Sequence, residues 1–317
     1  MTDLGLCLIQ IVYNMDIGRF IKRTFLREAY YIGFLEKKHL SLPIQERYDK
    51  VSWLDLKGYN SGWFADPFFL SKEGNHIQLL VEELVYKKGR GIISLLEIDK
   101  QNGKYVLSSR IPLLELSTHL SYPNIIYENG KTYVYPENGR SGGLNIYELD
   151  LQAKKLINPV KIIDGHIVDT SIFKHEGKYY AIGTIHNTYG FEYTKKSDVY
   201  VTDSLFGPYT HYQTISNDIP AERGGGQIYK DGTDIIRPVQ KSVRSYGEAI
   251  ILNKITFCED KIIETPLSII EPDINRRYGR CLHTLNIMDE LCVIDGQDYI
   301  NYRTSKVFGF FKSIFRS

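Results

Sequence analysis

Trp63-Phe64-Ala65-Asp66-Pro67-Phe68-Phe69-Leu70 puts an acid and a proline at the head of a strongly apolar β run. A turn follows at Lys72-Glu73-Gly74-Asn75. A second run, His76-Ile77-Gln78-Leu79-Leu80-Val81, then closes on Glu82 and Glu83. Short apolar runs bounded by turn residues read as strands. The same layout returns at Asp169-Thr170-Ser171-Ile172-Phe173, the turn His175-Glu176-Gly177-Lys178, and Tyr179-Tyr180-Ala181-Ile182-Gly183-Thr184. In both units the Asp stands eight residues before the turn glycine.

Copies of this hairpin run along the chain. Turn dipeptides recur at Glu73-Gly74, Asn129-Gly130, Glu176-Gly177 and Asp231-Gly232, with a weaker turn at Asp289-Glu290. The four glycines stand 56, 47 and 55 residues apart. Gly flanked by alternating runs is a hairpin signal. A third strand follows each hairpin, at Gly91–Leu96, Leu144–Tyr147, Asp198–Val201 and Glu248–Leu252, and a fourth can follow, as at Tyr105–Ser108. Five such units, each about 50 residues long, match the blades of a β-propeller, which are four-stranded sheets around a channel. A β-sandwich or two small β domains would also use hairpins, but the period favours the propeller. The sequence therefore predicts an all-β, five-bladed propeller over 29–302, an N-terminal extension over 1–28 and a tail over 303–317. Residues 36–60, broken at Pro43, read as a loop covering one face.

The chain has 317 residues, 43% of them hydrophobic and 24% charged, enough for one or two sizeable cores. Its 24 Tyr and 14 Phe favour sheet, and a few of the Tyr also suit sugar binding by stacking and hydroxyl bonding. A formal net charge of +1 provides no field toward nucleic acid. Cys7, Cys258, Cys281 and Cys292 lack metal spacing and read as reduced, packed thiols. Leu4–Val12 is apolar but follows Asp3 rather than a basic segment, and no run reaches membrane-span length, so the expectation is a cytoplasmic protein. In the tail, Val307, Phe308, Phe310, Phe311, Ile314 and Phe315 share one helical arc, with Lys306, Lys312 and Arg316 on the other. That pattern predicts a short basic amphipathic helix over 305–317 that meets an anionic membrane surface.

In a propeller the innermost strands line the axis and ligands bind at one mouth. The residues that open the first strand of each unit should therefore converge: Asp66, His119-Leu120-Ser121-Tyr122-Pro123, Asp169, Arg223-Gly224-Gly225-Gly226-Gln227 and His283-Thr284. So should those that close the second: Glu82, Glu83, Glu137, His186, Arg237 and Asp295. Together they describe a polar, acid-lined pocket.

Phe64-Ala65-Asp66-Pro67-Phe68, the His119–Pro123 run, Pro136-Glu137, Asp169–Phe173 and Ile236-Arg237-Pro238-Val239-Gln240 carry a resemblance. The segment 29–300 resembles the propeller domain at the N-terminus of glucosamine inositolphosphorylceramide transferases and its stand-alone bacterial relatives. That domain is in turn similar to family 43 glycoside hydrolases. The resemblance implies Asp66 as general base, Asp169 as the orienting acid, and Glu222 or Glu137 as general acid. It implies a substrate pocket involving Trp63, Glu83, His119, Ser121, Tyr122, His186, Arg223, Arg237, Gln240 and His283. Inverting hydrolysis needs an acid as well as a base. A transferase with a nucleotide-sugar donor needs only the base, because cations stabilise its phosphate leaving group. Arg223 and Arg237 would meet that phosphate, with the glycine run 224–226 admitting backbone N–H groups to the anion. The leading expectation is a glycosyltransferase moving a sugar, furanosyl if the relatives are a guide, from an activated donor to a surface-polysaccharide or glycolipid acceptor. The alternatives are an inverting family 43 hydrolase and a sugar-binding propeller without catalysis. A metal ion at the channel is compatible with the pattern, though no spacing demands one.

Overall fold

The computed structural model describes residues 26–185, 196–216 and 223–301. His186, Glu222, the segment 1–25 and the tail helix expected over 305–317 lie outside the described residues. The chain divides into a unit Tyr30–Gly296 and a second unit, Met1–Ala29 with Gln297–Ser317. Of the second unit, only the outermost residues of two strands are described.

The first two strands in the chain, β1 (Leu26–Glu36) and β2 (Ser52–Trp53), belong to the last blade. Blade 1 holds β3 (Gly62–Glu73), β4 (His76–Val85), β5 (Arg90–Gln101) and β6 (Lys104–Leu114). Blade 2 holds β7 (Ser121–Glu128), β8 (Lys131–Glu137), β9 (Gly143–Asp150) and β10 (Lys155–Asp164). Blade 3 holds β11 (Ile167–His175), β12 (Lys178–Ile185), β13 (Lys196–Thr202) and β14 (Thr210–Ser216). Blade 4 holds β15 (Tyr229–Asp231), β16 (Asp234–Lys241), β17 (Ala249–Cys258) and β18 (Lys261–Ile270). Blade 5 starts with β19 (Leu285–Met288) and β20 (Leu291–Asn301), then takes β1 and β2 as its third and fourth strands. The protein is an all-β five-bladed propeller. Residues 36–60 are less of a loop than the sequence suggests: they hold β2 and the helix α1 (Ile44–Asp49).

The turns follow from residue type. Asn129-Gly130 and Glu176-Gly177 are two-residue hairpin turns with both residues left-handed, the twist that suits a hairpin. At Gly74-Asn75 and Gly232-Thr233 the turn lies one residue later than the sequence reading placed it, because Glu73 pairs with His76 and Asp231 with Asp234. The cores lie between blades. Phe68, Leu80 and Ile93 of blade 1 pack with Leu120, Ile125 and Val134 at blade 2. The ring closes where Ile32, Phe34 and Val293 of blade 5 meet Phe64, Leu79 and Val81 of blade 1. Each such side chain contributes on the order of 1.5–3 kcal/mol when fully buried.

One irregularity positions the site. The registers of β3, β7 and β11 break between Ala65 and Phe68, Ser121 and Asn124, and Val168 and Ser171. At the head of each break a non-glycine residue is left-handed: Asp66 at φ 48°, Tyr122 at 46° and Asp169 at 42°. Bulges of this kind re-aim a side chain at a cost in local strain. Among the described cysteines, Cys258, Cys281 and Cys292 are free; the last two are buried as expected, whereas Cys258 is exposed. No helix of the described residues is long and apolar enough to cross a membrane.

Candidate functional site

Three bulges and the ends of the second strands bring the predicted acids together at one mouth. Asp66 is 5% exposed. Its Oδ2 accepts the Tyr122 N–H at 3.0 Å, and its Oδ1 accepts the Thr284 hydroxyl at 2.7 Å. These donors favour the carboxylate. Burial opposes them and, with the charges of Glu82, Asp295 and Asp169 only partly offset by His283, pushes Asp66 up to about 7. Asp295 is a hub behind it. Its Oδ1 accepts the N–H groups of His283 and Thr284, both at 3.0 Å, and its Oδ2 meets His283 Nδ1 at 2.5 Å. Burial disfavours the charged imidazole, but Asp295 and Asp66 outweigh it and push His283 up to about 9.

A second group lies across the mouth. Arg223 Nε donates to Asp169 Oδ2 at 2.6 Å, and its Nη2 reaches Glu137 Oε2 at 3.4 Å. Gln240 donates to the same Asp169 oxygen at 3.0 Å. Burial pushes Asp169 up, but Arg223 and the bond from Glu137 hold it below the usual carboxylate range. Burial and the Asp169 charge drive Glu137 the other way, well above the usual range. The two carboxyls are therefore pulled in opposite directions, Asp169 toward its charged form and Glu137 toward its neutral one. The Arg223 guanidinium lies over the Tyr246 ring, 5.2 Å from its centroid.

Other predicted residues take structural roles. Glu82 and Glu83 point to opposite sides of β4, as neighbours on a strand must. Glu82 faces His119 at 3.2 Å. Glu83 turns into blade 1, fully buried, and accepts from Arg110, Ser94 and Tyr59. Arg237, expected at a phosphate, is instead 0% exposed and paired with Glu264 at 2.9 Å. A buried guanidinium with a carboxylate partner offers no free charge to a ligand. The glycine run is also corrected. Gly225 N–H donates to Pro238 O and Gly226 N–H to the Tyr122 hydroxyl, so neither is left for an anion. The glycines are there for close approach: a Cβ on Gly224 would come within 2.3 Å of Asp169 O, and one on Gly226 within 2.0 Å of Leu285 O. Tyr122 is buried, its hydroxyl reaching from blade 2 to donate to Gly226 O at 2.9 Å. His119 Nδ1 accepts the Gly91 N–H, which requires the neutral ring with Nε2–H toward Glu82; the Glu82 bond alone would raise its pKa. Ser121 lies opposite Glu137 in register.

Two aromatic walls escaped the sequence reading. Tyr30 stacks on His283 at 4.8 Å and lies 5.0 Å from Trp63. Tyr246 meets His283 edge-on at 5.4 Å. Tyr30 comes from β1, whose place in the last blade no local pattern reveals. Tyr246 was findable, since it sits in the turn between the second and third strands of blade 4, on the mouth side.

Asp66, His283 and Asp295 each present an atom within 4.8 Å of the others, close enough to suggest a metal. Their chemistry does not fit one. His283 Nδ1 is held by Asp295 as an ion pair and Asp66 Oδ1 by Thr284. A cation would have to displace the imidazolium proton. The network is closed by its own charges.

Solved structures place the fold in a known class. The exo-β-1,3-galactanase of Phanerochaete chrysosporium bound to galactose has a TM-score of 0.52 at 12% identity, over 69% of this chain and 55% of that one. A family 43 β-1,3-galactosidase has a TM-score of 0.52 at 13% identity, over 69% and 50%. At such identities the likeness concerns the fold, a propeller of the glycoside hydrolase family 43 type. The family of the N-terminal region of glucosamine inositolphosphorylceramide transferase 1 matches residues 35–296, and the chain belongs to that family. The Arabidopsis thaliana transferase of that name is 29% identical over 226 residues, covering 67% of this chain and 28% of the relative. The one from Oryza sativa subsp. japonica is 23% identical over 217 residues, covering 67% and 29%. The match thus spans under a third of these curated relatives.

Proposed function

We propose that the chain is a glycosyltransferase that moves a sugar from a phosphate-activated donor to a glycan or glycolipid hydroxyl. The observation that carries this reading is the division of charge at the mouth. Asp66 serves as a proton acceptor raised to about 7, while Arg223 occupies the Asp169–Glu137 pair. Asp66 takes the acceptor proton as the acceptor oxygen bonds to the anomeric carbon. The bond from that carbon to the donor phosphate breaks, and the electron pair leaves on the phosphate, which needs no proton. Asp169, fixed by Arg223 and Gln240, orients the sugar ring, and Tyr30, Trp63 and Tyr246 offer ring faces to it. The names of the family's curated members as transferases support the reading. A cytoplasmic location and an anionic membrane contact through 305–317 complete the proposal.

One observation favours a second reading. Glu137 is a buried carboxyl pushed toward its neutral form beside Asp169, which suits inverting hydrolysis with Asp66 as base and Glu137 as acid. Mass spectrometry of the purified protein with a nucleotide-sugar panel and lipid-linked acceptors separates the two. Nucleotide release that depends on acceptor is the expected result. Free sugar from oligosaccharides, with no reaction of any activated donor, would replace transfer by hydrolysis.

A further inference from the structure

With Arg237 buried against Glu264, the cations expected at a phosphate must be found elsewhere. Four features of the mouth meet at the rim of blade 2. Arg140 is exposed on the short 3-10 turn Gly139–Ser141 that follows β8, and it makes no hydrogen bond or ion pair with any described residue. Arg223 spends Nε and Nη2 on Asp169 and Glu137, and its Nη1 has no partner among the described residues. The His166 ring lies flush on Gly139, where a Cβ would come within 1.9 Å of Nε2, so this glycine is what admits the imidazole. Burial lowers the pKa of His166 from its ordinary value, and Arg223 and Arg140, both near enough to act on the ring, lower it further. Asn138, between Glu137 and Gly139, is 5% exposed, and neither its amide oxygen nor its amide nitrogen has a partner among the described residues. Buried amides are seldom left so. The nearby carboxylates are already engaged, Glu82 with His119 and Asp169 with Arg223.

We propose that this rim, with Arg140 and Arg223 as its cations and Asn138 as its neutral donor, binds the diphosphate of an activated glycosyl donor. This rests on the transfer reading and gives the donor a side from which to enter. A diphosphate presents several acceptor oxygens on adjacent phosphorus atoms. Arg140 takes one phosphate, Arg223 Nη1 the other, and the Asn138 amide N–H reaches an oxygen beside them. Guanidinium is the side chain best shaped for phosphate oxygens. The glycosyl carbon bonded to that diphosphate then lies toward Asp169 and Asp66. The same chemistry is offered by a nucleoside diphosphate and by an isoprenoid-lipid diphosphate.

Isothermal titration calorimetry on the full chain tests the subsite, with inorganic pyrophosphate, uridine diphosphate and geranyl diphosphate as probes. Wild-type protein is expected to bind pyrophosphate, and Arg140→Ala to bind it at least tenfold more weakly at an unchanged melting temperature. Lys131→Ala, at the far end of β8, is expected to bind as wild type. Tighter binding of uridine diphosphate than of geranyl diphosphate identifies a nucleotide donor, and the reverse order a lipid one; either supports a diphosphate subsite. No pyrophosphate binding, equal affinity in Arg140→Ala, or an equal loss in Lys131→Ala overturns it. Binding through Arg140 without transfer from any diphosphate donor keeps the subsite and removes the transferase reading. Transfer that is indifferent to Arg140 keeps the transferase and removes the subsite.

Discussion

Asp66 combines two demands on one side chain. The Tyr122 N–H and the Thr284 hydroxyl favour its charge, and burial resists it, so the group titrates near neutrality rather than near 4. A base so placed is half-ready at neutral pH, and turnover should rise with pH to about 7 and then level. Asp66→Asn keeps the shape and removes the proton acceptor. A loss of at least about 100-fold in kcat is expected, with folding unchanged. Near-wild-type turnover would remove Asp66 from the chemistry. Glu137→Gln divides the two readings by a different route, because the amide still donates a hydrogen bond to Asp169 but cannot give up a proton. Transfer predicts a change of less than about tenfold, whereas hydrolysis predicts a loss as large as that at Asp66. Steady-state rates on the same substrate panel decide it.

Strand β16 shows how one element serves two purposes. Gln240 and Arg237 stand three residues apart, at the mouth end and inside the blade. Gln240 ties Asp169 to Gly224 O, while Arg237 holds Glu264, with Asn253 donating to the same carboxylate. Removing Arg237 leaves Glu264 buried and uncompensated. Arg237→Ala is therefore expected to cost about 3–5 kcal/mol in urea denaturation. A phosphate ligand exposed at the mouth would instead lose affinity and leave stability nearly untouched, and that outcome would return Arg237 to the site.

The whole propeller carries its polar network at the joint between the first and last blades, where Asp66, His283, Thr284 and Asp295 meet. This makes stability depend on pH with a definite sign. His283 titrates at about 9 in the folded protein against 6.5 in the unfolded chain, so the folded state holds the extra proton. Its contribution is complete below about 6.5 and lost as pH rises through 9, on the order of 3 kcal/mol at most. Asp66 acts in the same direction at lower pH, because its folded value is also the higher one. Scanning calorimetry should show the melting temperature falling from pH 6 to pH 9, with a flatter profile in His283→Gln. A wild-type melting temperature that rises over that range would contradict the ion pair. Deleting 305–317 addresses the membrane proposal. The truncated chain should melt normally and cease to co-sediment with anionic liposomes, because the deleted Phe and Lys residues supply the contact. Undiminished sedimentation would refute it.

The repeat of acid, strand, turn and strand was enough to read five blades, since alternation and Gly turns are local properties written into consecutive residues. Asp66 and Asp169 were legible for the same reason, each opening the first strand of its unit, and Glu137 because it closes a second strand. Which polar residues face the mouth and which enter a blade was not legible. Glu82 and Glu83 are neighbours with opposite fates, and register within the sheet separates them. Arg237 and Arg223 look alike as cations until Glu264 arrives from β18 to bury one of them. Tyr30 reaches the site only because the first strand of the chain closes the last blade, a pairing between residues nearly a whole chain apart. Periodicity records which face of a strand is apolar, but partners distant in sequence decide where a charge ends, because burial and ion pairing are energies of contact that form only when the blades meet.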